Sequence, residues 1–282
     1  VAGAFRGRQL ALMVVGVALL VVLSLAAAAD WDLDVPLTGG VGDRTEQPRT
    51  PADLTSYELA VGDLDGLERL AAREARLAGT RPAPHHRWLA LCLRSAMAML
   101  RGQFRDSERL ATQAVELGRR PLGAPAVLAY GGHLVFLRWL QGRPGEVEAL
   151  LERLGVQQPW AAQAWPRLLP LAWAGQGRDA KARRQLDAAM AAGLGPLPNV
   201  AVLVALAGAC AQLGDGAAAG RLAELLAPWA GHHLAAGHIY LGAADHHLGI
   251  LAATAGRWED GRDHFRAALA AHERLGARPW QA

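Results

Sequence analysis

The chain has 282 residues, enough for one or two domains with a sizeable core, and 52% of them are hydrophobic. Its net charge is +3, but arginine and acidic residues are interspersed, so the sequence lacks the basic stripe that binding to a nucleic-acid backbone requires. The two cysteines, Cys92 and Cys210, lie far apart in apolar stretches, and we expect both to be buried free thiols.

The first predicted element is an apolar run from Leu10 to Ala29 that contains no charged residue. A helix of that length spans roughly 30 Å, the thickness of one hydrocarbon core, and we predict a transmembrane helix in residues 1–29. The alternative is a secretory signal peptide cleaved after a small-residue site at Ala27 to Ala29. Arg6 and Arg8 precede the run, which mildly favours an N-terminus on the cytoplasmic side with the rest of the chain exported.

Residues 30–66 have a different composition, rich in Asp, Gly, Pro and Thr, and we predict a poorly ordered juxtamembrane linker there. Tyr57, Leu59 and Val61 alternate with other residues, as in a short strand, but no partner strand is evident. The glycines of GGVGD lack the spacing and the Lys-Ser/Thr pair of a phosphate-binding loop.

From residue 67 the pattern is helical, and the first helix is predicted over Leu67–Leu77. Glycines then recur at intervals of roughly 35 to 42 residues, each between an apolar helix and a more charged one. The turn glycines are Gly102, Gly142, Gly177, Gly214 and Gly256. Five residues past each glycine the residue is mostly small, and the twelfth position is Ala or Leu. We therefore predict about five helix pairs in residues 67–282, and a break at Pro166 and Pro170.

The clearest pair runs from Leu248 to Leu269, where Gly249, Gly261 and Ala268 would let two helices approach closely. A period of this length with small residues at fixed offsets is typical of tetratricopeptide repeats, whose units bury their faces by stacking. The predicted fold is all-α: a tetratricopeptide-like helical-repeat solenoid with an N-terminal transmembrane helix. We expect an exposed apolar face on the last unit, which is either a partner site or a sign of truncation.

Two stretches resemble known families. The pattern DVPLTGGVGDRT…PADLTSYELAVGDL is similar to the junction that follows the transmembrane helix of phage-shock-protein-C-like and LiaF-like membrane proteins. The stretches RWLALCLRSAMAMLRGQFRDSERLATQAVELGRR and LGILAATAGRWEDGRDHFRAALAAHERLGARPW resemble the tetratricopeptide-like C-terminal region of bacterial multidomain signalling regulators of the AAA-ATPase/cyclase or LuxR type. The second resemblance implies a cytoplasmic scaffold, whereas the charges around the apolar run favour the opposite side of the membrane. We expect a single-pass membrane protein whose repeat array lies in the cytoplasm, with the periplasmic or extracellular side as the alternative.

The sequence has ten histidines, several of them in adjacent pairs, and histidine is a common metal ligand. Neighbouring residues on a helix point about 100° apart, so such pairs are poorly placed to chelate a metal, and His232, His238 and His246 are the ones to test. The sequence has no GxSxG motif and no cysteine with an evident histidine partner. We predict no enzymatic activity, no metal and no cofactor.

In a tetratricopeptide array the first helix of each pair lines the concave groove. By that similarity the candidate groove residues are Leu89, Cys92, Phe136, Trp139, Arg167, Leu171, His246 and Ile250. Arg167 could pair with a carboxylate of a bound peptide. For Phe136 and Trp139 an equally good interpretation is that they belong to the core.

These observations predict a membrane-anchored scaffold of bacterial signalling that binds a partner protein or peptide in the groove, with residues 10–29 in the membrane and no nucleic acid. Three alternatives stay open. The chain could be an exported helical-repeat protein after signal cleavage. It could also be a non-functional chimeric or truncated fragment of a larger transcriptional or cyclase regulator, joined near residue 65. The third is a metal-dependent enzyme that uses the histidines.

Overall fold

The computed structural model describes residues 55, 58–80, 84–157, 165–192 and 199–281, and these are mostly helical, as the sequence predicts. The apolar run Leu10–Ala29 and most of the predicted linker lie outside the described residues. Within the described part of the chain, no helix is both long and apolar enough to cross a membrane.

The helices are α1 (Leu64–Thr80), α2 (Pro84–Leu100), α3 (Phe104–Gly118), α4 (Ala124–Leu140), α5 (Val147–Gln157), α6 (Leu169–Ala174), α7 (Asp179–Ala191), α8 (Val200–Leu213), α9 (Gly216–Leu226), α10 (Ala244–Thr254) and α11 (Trp258–Leu275). Short 3-10 helices cover Pro144–Glu146, Trp165–Arg167, Ala227–Trp229 and Arg278–Trp280. The short strand considered for Tyr57–Val61 is a wrong prediction for its described part, because residues 58–61 are helical.

The five turn glycines all end the first helix of a pair in the same way. Each has a positive φ, between 64° and 79°, which glycine adopts without steric cost. At Gly214 the amide N–H donates to the Ala211 carbonyl at 3.2 Å, and the next amide, of Asp215, donates to Cys210 at 3.1 Å. The same pair of hydrogen bonds recurs at the other four glycines, so every turn is a Schellman motif that satisfies the last carbonyls of its helix.

The positions counted from each turn glycine in the sequence match the helix starts and the buried residues of the structure. The residue two positions past each glycine begins the next helix or 3-10 turn. The fifth and twelfth positions are buried in all five pairs, as with Ser107 and Ala114 in the first and Gly261 and Ala268 in the last. The predicted break at Pro166 and Pro170 is present, since a 3-10 turn and the six-residue helix α6 replace one long helix.

The last pair packs at short range, as its small residues predict. A Cβ atom on Gly249 would lie 2.9 Å from the Phe265 ring, and one on Gly261 would lie 3.3 Å from the Gly249 carbonyl oxygen. Larger residues at either position would therefore push α10 and α11 apart.

A two-stranded hairpin between α9 and α10 was not predicted. Its strands, β1 (His233–Ala236) and β2 (Ile239–Ala243), pair antiparallel with an irregularity between Leu234 and Ala235. The hairpin packs against α2, α4, α8 and α10, which are first helices of four pairs, and also against α11. All five residues of β2 are buried, so the hairpin belongs to the core.

Candidate functional site

The predicted groove residues divide into buried and accessible positions. Leu89, Phe136 and Leu171 belong to the main core, with relative exposures of 8%, 1% and 2%. Their side chains therefore present no open surface to a partner, and the core interpretation holds for Phe136. Cys92 and Cys210 are buried free thiols, as expected, and burial raises the pKa of both.

The remaining candidates do not form one surface. Trp139 is partly buried and meets Phe136 edge to face, with ring centroids 6.5 Å apart. Arg167 is exposed, in the 3-10 turn before α6. His246 and Ile250 are partly buried on α10, and the His246 ring lies 6.2 Å from the Phe265 ring of α11.

The tip of the hairpin carries a buried imidazole against the first two helix pairs. His238 stacks on His133 of α4 at a centroid distance of 6.0 Å and meets the Trp88 ring of α2 edge to face at 6.3 Å. The Nε2 atom of His133 lies 3.0 Å from the Ser95 hydroxyl and 2.8 Å from the Ser107 hydroxyl. A cavity of only about 10 Å³ adjoins these residues, room for about one water molecule and too little for a substrate.

The base of the hairpin is held by further neutral imidazoles. His233 pairs through Nδ1 with the Tyr240 hydroxyl at 2.8 Å. His272 accepts the Ala243 amide proton at Nε2, at 2.9 Å, and donates from Nδ1 to the Trp280 carbonyl at 3.0 Å. Because Nε2 of His272 is an acceptor, this arrangement requires the neutral ring.

The electrostatics agree with that geometry. Burial lowers the pKa of His133 and His247 to about 3 and that of His233, His238 and His272 to about 4. Such rings are uncharged at neutral pH and act as packing and hydrogen-bonding groups. Among the described residues, no cluster of three or more His, Cys, Asp or Glu side chains could hold a metal ion.

A different surface is open to a partner. Trp258, Phe265 and Leu269 lie along one side of α11 and are 71%, 39% and 43% exposed. We call these three residues the α11 stripe. The stripe forms one side of an open depression of about 380 Å³ that Ala253 of α10 helps to line. Val61 is the one other large hydrophobic residue with comparable exposure in the described chain.

The depression is basic. Arg262 and Arg266 are the charged residues that line it within the described structure. Arg266 pairs with Asp263 at 3.0 Å, and both side chains are well exposed, so solvent screens this pair strongly. Arg262 has no ion-pair partner in the described part of the molecule. The surface thus combines an apolar stripe with guanidinium groups able to bind carboxylates.

Sequence reasoning found the exposed face of the last unit but not its residues, because Trp258 and Phe265 could equally have been core positions. The signal was present at the second and ninth positions past the turn glycine, where the last unit carries the large residues Trp258 and Phe265. No protein-family model matches the chain, and comparison with curated proteins finds no similar one.

Proposed function

We propose that the chain is a tetratricopeptide-type solenoid that serves as a protein-binding scaffold, that it captures its partner through the α11 stripe, and that residues 10–29 anchor it to a membrane. Five helix pairs with the same glycine turn and the same buried offsets support the repeat architecture. The anchor rests on the uncharged apolar run, and a role in bacterial signalling rests on the resemblance of the repeats to those of signalling regulators.

One comparison between units carries the proposal. The ninth residue past each turn glycine is buried in the first four units, where Ala111, Leu151, Leu186 and Ala223 are at most 9% exposed. In the last unit this residue is Phe265, which is 39% exposed. The same position is thus packed inside the array and uncovered at α11, where Trp258 and Leu269 enlarge the apolar surface.

The histidine-rich interior supports binding rather than catalysis. Ser95, Ser107 and His133 form a connected hydrogen-bonded set, but each is at most 1% exposed. A general base must lie within hydrogen-bonding reach of a substrate proton, and the adjoining space of about 10 Å³ admits no substrate. These groups instead join α2, α3 and α4 to one another, and His133 also stacks on His238 of the hairpin.

Affinity purification of the full chain from membranes, followed by mass spectrometry, tests the proposal. The variant Trp258→Ala/Phe265→Ala removes the stripe, and the matched variant Trp139→Ala/Arg167→Glu alters the predicted groove instead. We expect the stripe variant to lose the proteins recovered with the wild type and the groove variant to retain them.

Equal recovery with the wild type and the stripe variant would overturn the assignment to α11. Loss with the groove variant alone would restore the groove. If the wild type recovers nothing beyond an unrelated membrane-anchored control, the scaffold function itself is wrong, and the interpretation as a non-functional fragment gains support.

A further inference from the structure

The upstream units show what kind of element covers the surface corresponding to the α11 stripe. The second helix of each unit packs against the first helix of the next, α3 against α4, α5 against α6, α7 against α8 and α9 against α10. The approach is close, since a Cβ atom on Gly118 of α3 would lie 2.9 Å from the Ala126 Cβ of α4. In each of the first four units, therefore, an α-helix of the same chain packs on the surface that corresponds to the α11 stripe.

At α11 the shape of the surface still suits a helix. Helix α11 packs against α10, β2 and the 3-10 turn Arg278–Trp280. Trp258, Phe265 and Leu269 follow one another at spacings of seven and four residues, which places them on one face of α11. A parallel groove between such a face and Ala253 of α10 accepts the side chains of one further helix, packed ridges into grooves.

The charge of the surface indicates which charged side chains that helix carries. Arg262 is positioned to pair with a carboxylate beside an apolar contact, and Arg266 can do so by exchanging its exposed, solvent-screened pair with Asp263. A second copy of this chain fits less well, because a two-fold contact through the same surface would bring the guanidinium groups of both copies into one interface. An acidic partner meets opposite charge there instead.

From these observations, and resting on the proposed function, we infer that the α11 stripe binds an acidic amphipathic α-helix of the partner protein, which stacks on α11 as the first helix of a following repeat would. Small apolar residues of that helix contact Trp258 and Phe265. Its flanking Glu or Asp side chains pair with Arg262 and Arg266.

Fluorescence anisotropy with two labelled synthetic helices tests this inference on the full chain. Both peptides have about 16 residues with Ala and Leu on one face, and the polar face carries Glu in one and Lys in the other. We expect the Glu peptide to bind the wild type more tightly than the Lys peptide by about tenfold or more. Arg262→Glu/Arg266→Glu should reverse that preference, and Trp258→Ala/Phe265→Ala should weaken both peptides by a similar factor.

All four substituted side chains are exposed or partly exposed, so the variants should keep the wild-type helix content by circular dichroism, which is the folding control. Trp139→Ala/Arg167→Glu, away from α11, should leave peptide binding unchanged. Equal binding of the two peptides, or failure of the charge reversal, would overturn the inference about an acidic helix.

Other occupants give distinguishable results. Concentration-dependent dimerisation that Trp258→Ala/Phe265→Ala abolishes would assign the stripe to a second copy. Sedimentation of the full chain with phosphatidylglycerol vesicles, clearly weaker in the same variant than in the wild type, would assign it to a membrane surface. If neither peptide binds while the stripe variant still loses its partner in affinity purification, the helix inference fails and the proposed function stands.

Discussion

The side of the array that bears the hairpin is closed, whereas the outer face of α11 is open, although both are apolar surfaces of the same repeated helices. The closed side is filled by β2, whose five residues are all buried. On the open side Trp258 is 71% exposed, with guanidinium groups beside it. The difference shows that apolar surface on the hairpin side is already covered by a segment of the same chain, whereas the apolar side of α11 is uncovered among the described residues.

Acidification should lower the stability of the closed side by more than any other change, because the buried imidazoles lie there. In the folded chain the pKa values of His133, His233, His238, His247 and His272 are about 3 to 4, below the ordinary 6.5. Below pH 6.5 the unfolded chain therefore binds more protons than the folded one, and stability present above pH 6.5 is lost as the pH falls toward 4.

Between pH 7 and pH 5.5 we expect a loss of about 1 kcal/mol per imidazole in the free energy of unfolding, measured by urea titration. The variant His238→Phe replaces the tip imidazole by a ring that does not titrate, and should remove the contribution of one imidazole, about 1 kcal/mol, from that loss. A free energy of unfolding that is constant between pH 7 and pH 5.5 would contradict the neutral, buried state of these rings.

Truncation of a buried side chain in the main core should be the next largest effect. Phe136→Ala removes a ring that is 1% exposed in the main core and leaves a cavity, so we expect a loss of about 3 to 5 kcal/mol in the urea-derived free energy of unfolding. Leu269→Ala on the open side is the matched control and should cost far less. Similar costs at the two positions would erase the distinction between the surfaces.

Loss of one hydrogen bond within the hairpin should have a smaller effect. Tyr240→Phe keeps the buried ring but leaves His233 Nδ1 without its partner at 2.8 Å. We expect the free energy of unfolding to fall by about 1 to 2 kcal/mol. A thermal unfolding curve identical to that of the wild type would show that this bond does not help to hold the hairpin in place.

The smallest stability effect is expected on the open side. Trp258→Ala removes an exposed ring and should change the free energy of unfolding by no more than about 0.5 kcal/mol. The same variant should bind the Glu peptide more weakly than the wild type. A stability loss comparable to that of Phe136→Ala would mean that the ring belongs to the fold rather than to a binding surface.

The local features of the fold were predictable from the sequence. Gly102, Gly142, Gly177, Gly214 and Gly256 mark their turns because a left-handed residue is needed to end each helix, and glycine adopts that conformation at the least cost. The break at Pro166 and Pro170 follows from the missing amide proton of proline. Each of these signals acts within a few residues of its own position.

The hairpin and the burial of the inner surface could not be predicted in the same way. His233 to Ala243 is short and contains two glycines, so it carries a weak strand pattern and depends on contacts with α2 and α4 far away in the chain. Leu89, Phe136 and Leu171 have the same apolar character whether they line a groove or fill a core.

The sequence by itself therefore determined the helix pairs and their offsets, because backbone conformation and the spacing of small residues are local properties. Only the tertiary structure decided which apolar faces are covered. Whether a face is covered depends on contacts between segments more than a hundred residues apart, such as the ring contacts of His238 with His133 and Trp88. The tertiary structure leaves Trp258, Phe265 and Leu269 uncovered in the described part of the chain.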